Sequence, residues 1–228
     1  GVRPDEIYDL SVIKRSKDAR KRNNVLDVYT VSVRADNEED LVSKAGKSSV
    51  SIFEELIYSC PKHGKRHAGH RPIVIGFGPA GIFTALLLAR EGYRPLVYER
   101  GRSIEERARD VERFFDTGRL VPDSNVQFGE GGAGTFSDGK LSTGVKDRNG
   151  RKSFILDTFV RHGADRAILT DSHPHIGTDR LSDIIPSIRR EIEALGGEIR
   201  FGAKLTGIEA DNGVTGIYIN GNEYIPAE

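Results

Sequence analysis

An α/β protein built on a β-α-β unit is the fold class the sequence predicts, and three observations predict it. A Gly-x-Gly-x-x-Gly pattern, Gly76, Gly78 and Gly81, directly follows the apolar run Ile73-Val74-Ile75 and opens a stretch of good helix formers from Ala80 to Glu91. A second apolar run, Pro95 to Glu99, comes after the helix-ending Gly92 and closes on an acid. Beyond Gly196-Gly197 come four short strand-like segments, three of them separated by turn signals such as Asp211-Asn212-Gly213 and Asn220-Gly221.

The elements follow in order. Residues 1–65 read as a small α+β domain: "IYDLSVIKRS" and "VLDVYTVSVRA" have the Val, Ile and Tyr content of strands, and "KRSKDARKRNN" between them is too charged to bury and predicts an exposed turn. A short helix is expected around Asp40 to Lys44. The basic stretch 59–71, with its Pro and Gly, is the expected linker. Residues 66–150 hold the β-α-β unit, a charged helix from Ser103 to Phe115 and a glycine-rich loop. Ser103 with Glu106 three residues on has the spacing of a capping box. Residues 151–196 read as helical: Lys152 to Arg161 ended by Gly163, then Arg180 to Leu195 capped by Thr178 or Asp179, with a kink or break at Pro186. Residues 197–228 supply the final strands.

Composition narrows the function classes. The 228 residues carry 34 basic and 34 acidic side chains, so no global field draws in nucleic acid or a membrane surface. The apolar runs are too short to span a bilayer, and nothing resembles a signal peptide. Cys60 is the single cysteine, which excludes an internal disulfide framework and suits a reducing cytosol. A cytoplasmic location is therefore the expectation. The chain starts at Gly1 and contains no methionine or tryptophan, a composition expected of a fragment or an altered chain.

The glycine motif carries the chemistry. Gly76 permits the tight turn, Gly78 lets backbone approach a pyrophosphate without a Cβ in the way, and Gly81 lets helix and strand pack closely. Pro79 and Ala80 begin the helix, whose N-terminal N–H groups and positive dipole end face the phosphates. Glu99, 18 residues past Gly81, can accept hydrogen bonds from the two hydroxyls of an adenosine ribose and would repel a 2′-phosphate. The site is expected to bind a dinucleotide.

Three stretches add a resemblance. "VIGFGPAGIFTALLLAREGYRPLVYERG" resembles the N-terminal FAD fingerprint of glutathione-reductase-type flavoproteins, where the acid is typically Glu, often followed by Arg, as in Glu99-Arg100. "SNVQFGEGGAGTFSDGKLSTG" and "PHIGTDRLSDIIPSIRREIEALGGEIRF" resemble a bacterial family of uncharacterised FAD-dependent dehydrogenases, or NAD(P)/FAD-dependent oxidoreductases. The resemblance implies a glutathione-reductase-type FAD-binding Rossmann domain with a β-meander, preceded by a small α+β domain. It implies FAD as cofactor, NAD(P)H as a possible electron partner and a small-molecule substrate. It further implies that the loop from Gln127 to Lys140 lies along the pyrophosphate, ribityl chain and flavin. Gly129, Gly131, Gly132 and Gly134 would let backbone amides crowd the cofactor, and Lys140 would stand near the flavin. The backbone around Lys204 and Leu205 would meet the adenine edge. Because that family continues with another buried strand, this chain is expected to be an N-terminal fragment, with its FAD domain incomplete at Glu228. The alternatives are an NAD-dependent dehydrogenase and a non-enzymatic flavin-bound or RNA-associated module.

Other residues are set aside. His173 and His175 read as loop histidines more readily than as proton carriers. Cys60, His63, His67 and His70 have spacings that could suit zinc, but Lys62, Lys65, Arg66 and Arg71 crowd them with positive charge, so no metal is expected. The basic patch Arg15, Lys17, Arg20, Lys21 and Arg22 lacks interleaved aromatics and reads as a solvated face.

Overall fold

The computed structural model describes residues 3, 6–45, 50–61, 69–136, 139–141 and 143–227. In chain order its elements are β1 (Ile7–Asp18), β2 (Leu26–Ala35), α1 (Glu38–Ala45), β3 (Ile73–Ile75), α2 (Pro79–Arg90), β4 (Leu96–Tyr98), α3 (Ile104–Thr117), α4 (Arg151–Arg161), α5 (Thr178–Ala194), β5 (Glu198–Arg200), β6 (Leu205–Ala210), β7 (Val214–Ile219) and β8 (Glu223–Pro226). They form two units, each assembled from three stretches of chain. One comprises Gly1–Ser59, Lys140–Val160 and Asp165–His175; the other comprises Cys60–Gly139, Arg161–Ala164 and Ile176–Glu228.

In the first unit β1 and β2 form an antiparallel hairpin that pairs from Ile7 opposite Ala35 to Asp18 opposite Leu26, with register shifts between Tyr8 and Ser11 and between Val12 and Lys14. Strand β1 runs two residues beyond Ser16, into the stretch expected to turn. Lys17 and Asp18 pair with Asp27 and Leu26 on a half-solvated ladder, where charged side chains extend a strand without being buried. Arg15 in β1 donates its N–H to the Thr170 carbonyl at 2.8 Å and accepts from Ser172 N–H at 2.9 Å. Helix α1 follows the macrodipole, with Glu38, Glu39 and Asp40 in its first turn and Lys44 in its last. The Tyr58 and Phe154 rings lie 5.0 Å apart.

The second unit is a three-stranded parallel sheet in the order β3-β4-β5 with an antiparallel β6-β7-β8 meander. Helices α2 and α5 pack on each other through residues that the apolar spacing marks as core, among them Leu86, Ile188 and Ile192. Arg90 of α2 donates to Glu191 of α5 through Nε at 2.7 Å and Nη2 at 3.0 Å, and this pairing holds the Glu191 carboxyl below its ordinary range. The His162 ring sits between Ser187 Oγ at 2.9 Å and Glu191 Oε2 at 2.8 Å. Tyr98, Ala203, Ile217 and Ile219 form a second cluster that joins the meander to the parallel sheet.

Two expectations need correction here. Of the kink or break expected at Pro186, the break is absent: helix α5 runs on through it, its face of Leu181, Ile184, Ile188 and Ile192 buried along the whole length. That packing outweighs the roughly 3 kcal/mol a mid-helix proline costs. The α5 N-cap is Gly177, with no side-chain cap, so Thr178 and Asp179 already lie in the helix. Among the described residues no helix is long and apolar enough to cross a membrane. His63 and His67 of the histidine-rich stretch lie outside the described residues, among which no cluster of three or more His, Cys, Asp or Glu could hold a metal.

Candidate functional site

At the carboxyl ends of β3 and β4 the chain makes two sharp exits, and between them opens a cleft of about 330 Å³. Gly76 turns the chain out of β3 with φ +89°, a left-handed conformation that glycine adopts without strain. Its N–H donates to the Tyr98 carbonyl at 2.8 Å, so the turn is fastened to the end of β4. Gly78 is the N-cap of α2 and Pro79 its first residue. Proline there lacks only an N–H that would have had no intrahelical partner.

The acid at the end of β4 is buried, with 5% of its surface exposed. Glu99 accepts from Phe77 N–H at Oε2 (2.7 Å) and from Gly101 N–H at Oε1 (2.8 Å). It thereby ties the glycine turn to the strand that follows in the sheet. A carboxylate offers about four acceptor positions, so these two bonds leave capacity for hydroxyl donors from the cleft.

The opposite wall is the glycine-rich loop. Gly131 donates its N–H to the Phe77 carbonyl at 2.9 Å, and Gly129 accepts from Gly132 at 3.0 Å. Gly132, at φ +66°, lies so close to α2 that an added Cβ would stand 3.1 Å from Pro79 Cδ and 3.3 Å from Gly78 Cα. Asn125 shapes the loop's entrance, its Oδ1 accepting from Gln127 N–H at 2.9 Å and its Nδ2 donating to the Val121 and Pro122 carbonyls.

Behind the loop is a charged group the sequence reading missed. Arg107 of α3 is fully buried; its Nε donates to the Asn125 carbonyl at 2.7 Å and its Nη1 to the carbonyls of Glu130 (2.7 Å) and Gly132 (2.8 Å). Burial pushes the guanidinium down to about 10, opposed by Glu99 and Glu130, so it stays charged at neutral pH. Glu130 is fully buried too, and its Oε2 accepts from Ile104 N–H at 2.8 Å. This carboxylate, rather than the expected Ser103–Glu106 capping box, satisfies the first turn of α3; Ser103 is the N-cap without a side-chain cap bond. The reason is position: a loop 26 residues away brings a carboxylate onto the helix end and covers it from water. Arg189 Nε lies 3.2 Å from Glu130 Oε1, but neither atom makes a hydrogen bond, so their attraction is coulombic only.

Burial raises the Glu130 carboxyl from 4.5 to about 7, against the Ile104 N–H and Arg189. A raised folded-state value means its contribution to stability is complete below pH 4.5 and is lost as pH climbs through 7. The full loss is about 3 kcal/mol. Glu130→Gln keeps an acceptor for Ile104 without the charge. It is expected to match the parent in urea denaturation near pH 4.5 and to exceed it by up to about 3 kcal/mol near pH 8. An equal difference at both pH values would refute this.

Of the residues singled out in the sequence, Gly76, Gly78, Glu99, Arg100, Gln127, Gly129, Gly132, Lys204 and Leu205 line the cleft together, joined by Ile75, Tyr98, Phe128 and Ala203. The Arg100 guanidinium lies 4.1 Å from the centre of the Phe128 ring and donates to Asp123, which Lys204 also approaches at 3.7 Å. Pro79, Ala80 and Gly81 form the first turn of α2. Gly131 fastens the loop from behind, and Gly134 falls in the 3₁₀ turn Ala133–Phe136. Lys140 belongs to the other unit, in an antiparallel bridge with His175. One signal could have exposed Arg107: Ile104, Arg107 and Val111 follow the spacing of a buried helix face, with a cation inside it.

No family model matches the chain. An uncharacterized protein of Clostridium beijerinckii is 46% identical over 218 residues, covering 95% of this chain and 40% of that protein; the chain thus spans well under half the length of this curated relative. Among solved structures, THI4 of Thermovibrio ammonificans is similar over 65% of this chain and 46% of its own (20% identity, TM-score 0.39). OTEMO, solved in complex with FAD and NADP, is similar over 71% of this chain and 24% of its own (15% identity, TM-score 0.40). The 3-ketosteroid-Δ4-(5α)-dehydrogenase of Rhodococcus jostii RHA1 is similar over 68% and 43% (13% identity, TM-score 0.37).

Proposed function

We propose that the cleft holds the adenosine diphosphate half of a flavin adenine dinucleotide, and that the protein containing this chain is an FAD-dependent oxidoreductase acting on a small molecule. The observation that carries this reading is the convergence on one cleft of the Gly76–Gly78 turn, the Glu99 carboxylate and the glycine loop from Gln127 to Gly132. The residues fit the group. Gly78 and Gly132 present bare Cα atoms to each other, a cradle that a Cβ on Gly132 would fill. Both the N-terminus of α2 and the backbone of a glycine-rich loop favour a pyrophosphate. Glu99 retains acceptor capacity for ribose hydroxyls. Arg100 and Lys204, the nearby cations, are already engaged by Asp123, which favours an unphosphorylated ribose. The cleft volume lies near the lower end of the ~300–1,000 Å³ typical of small-molecule sites, which suits half a dinucleotide. When bound, the flavin supplies hydride acceptance and donation, while the chain binds and orients it.

The test is direct. Purified protein is expected to be yellow and to release a flavin on denaturation; release of a nicotinamide dinucleotide instead would favour the NAD-dependent reading. Gly78→Val is expected to give folded, colourless protein. The position has φ −80°, and a Cβ there meets only Gly132 Cα at 3.8 Å, so the chain tolerates the side chain while the cleft does not. Retention of flavin by that variant would overturn the placement.

A further inference from the structure

We propose a second ligand site, in the first unit, for a small amphipathic organic anion: an apolar body ending in a carboxylate or sulfonate. The cavity lies beside the N-terminal turn of α4 and measures about 480 Å³, within the range of roughly 300–1,000 Å³ that small-molecule sites occupy. Its apolar wall is Leu141, Val145, Ile155 and Leu156. Val145 is 77% exposed, an unusual waste of apolar surface for a valine in a cavity wall.

The charged side chains facing the same space are Lys146, Arg148, Arg151 and Lys152, with Asp147 the one acid. Asp147 is occupied by the helix: its Oδ1 accepts from Asn149 and Arg151 N–H at 3.1 Å each, and its Oδ2 from Lys152 N–H at 2.7 Å. Among the described residues none of the four cationic heads meets a carboxylate within ion-pair distance. Arg151 and Lys152 also stand in the first turn of α4, at the positive end of its dipole, where cations repel the helix end and an anion is favoured. An apolar wall beside four unneutralised cations is complementary to a ligand that is both apolar and anionic. A neutral apolar molecule would leave the cations unanswered, and a small inorganic anion would leave the wall wet. The proposal does not depend on what fills the cleft at Gly78.

The probe is anilinonaphthalene sulfonate, titrated into the full chain by fluorescence and calorimetry. Phenylnaphthylamine, nearly the same body without the sulfonate, serves as the neutral comparison. One saturable site per chain is expected, with the neutral compound binding at least about tenfold more weakly. Arg148→Gln combined with Lys152→Gln is expected to weaken the sulfonate about tenfold, and Val145→Glu to weaken both probes. All three positions are exposed, so circular dichroism and melting should match the parent. Equal affinity for the two probes, or unchanged affinity in the double variant, overturns the proposal. So does loss of the site in Gly78→Val, which would put the probe in the dinucleotide cleft.

Discussion

Arg107→Met is expected to lower the stability of the second unit by about 3–5 kcal/mol, the cost of removing one partner from a buried charged network. Methionine fills much of the arginine volume, so the loss is electrical rather than a cavity. The carbonyls of Asn125, Glu130 and Gly132 would lose their guanidinium donor, leaving Glu130 and Gly132 only the long bonds from Thr135, at 3.5 Å from its Oγ1 and 3.4 Å from its N–H. All three belong to the loop that walls the cleft, so its geometry should fail along with the stability. Arg107→Lys retains the charge but not the planar fork, and one ammonium cannot reproduce bonds from both Nε and Nη1. It should recover part of the stability and less of the cleft. The chain has no tryptophan, so far-ultraviolet circular dichroism in urea is the suitable measurement. A loss below about 1 kcal/mol in Arg107→Met, the scale of an ordinary substitution, would show that the guanidinium does not hold the loop.

Gly81→Ala is the second large effect. A Cβ at Gly81 would lie deep inside the van der Waals shell of the Gly76 carbonyl oxygen and 3.0 Å from the carbonyl carbon, with Val74 Cγ1 at 3.6 Å behind it. None of these is the flexible end of a long side chain, so either α2 moves off β3 or the Gly76 turn deforms. The expected cost is about 3 kcal/mol, at the upper end for overpacking. Gly78→Ala, three residues away, should stay within about 1 kcal/mol of the parent, the scale of an N-cap change. Chemical denaturation of the pair separates a glycine required by packing from one required by the cleft. Comparable losses in both would remove that distinction.

These two cases differ in how visible they were beforehand. Gly81 belongs to a six-residue pattern with a known steric role, and the structure gives it that packing role. Arg107 sits in a helix that the sequence marks as strongly charged, one cation among several. Only the return of the chain at 125–132 over one face of α3 makes that arginine a core residue. The capping of α3 failed in the same way: Ser103 and Glu106 have suitable spacing, yet Glu130 reaches the helix end from a distant loop. Local propensity lost to a tertiary contact sealed from water.

From the sequence by itself came the β-α-β unit, the turn residues between the final strands and the pairing of a glycine turn with an acid at a strand end. Those features are set by neighbours within a few residues and by periodicities of two and 3.6, so a linear reading holds them. The tertiary structure alone decided which charges are buried: Glu99 bonded to two backbone N–H groups, Arg107 gathering three carbonyls, and Glu130 held near neutrality at a helix end. Burial is a property of segments that meet after the chain has doubled back, and the energy of a charge depends on that burial more than on its neighbours in sequence.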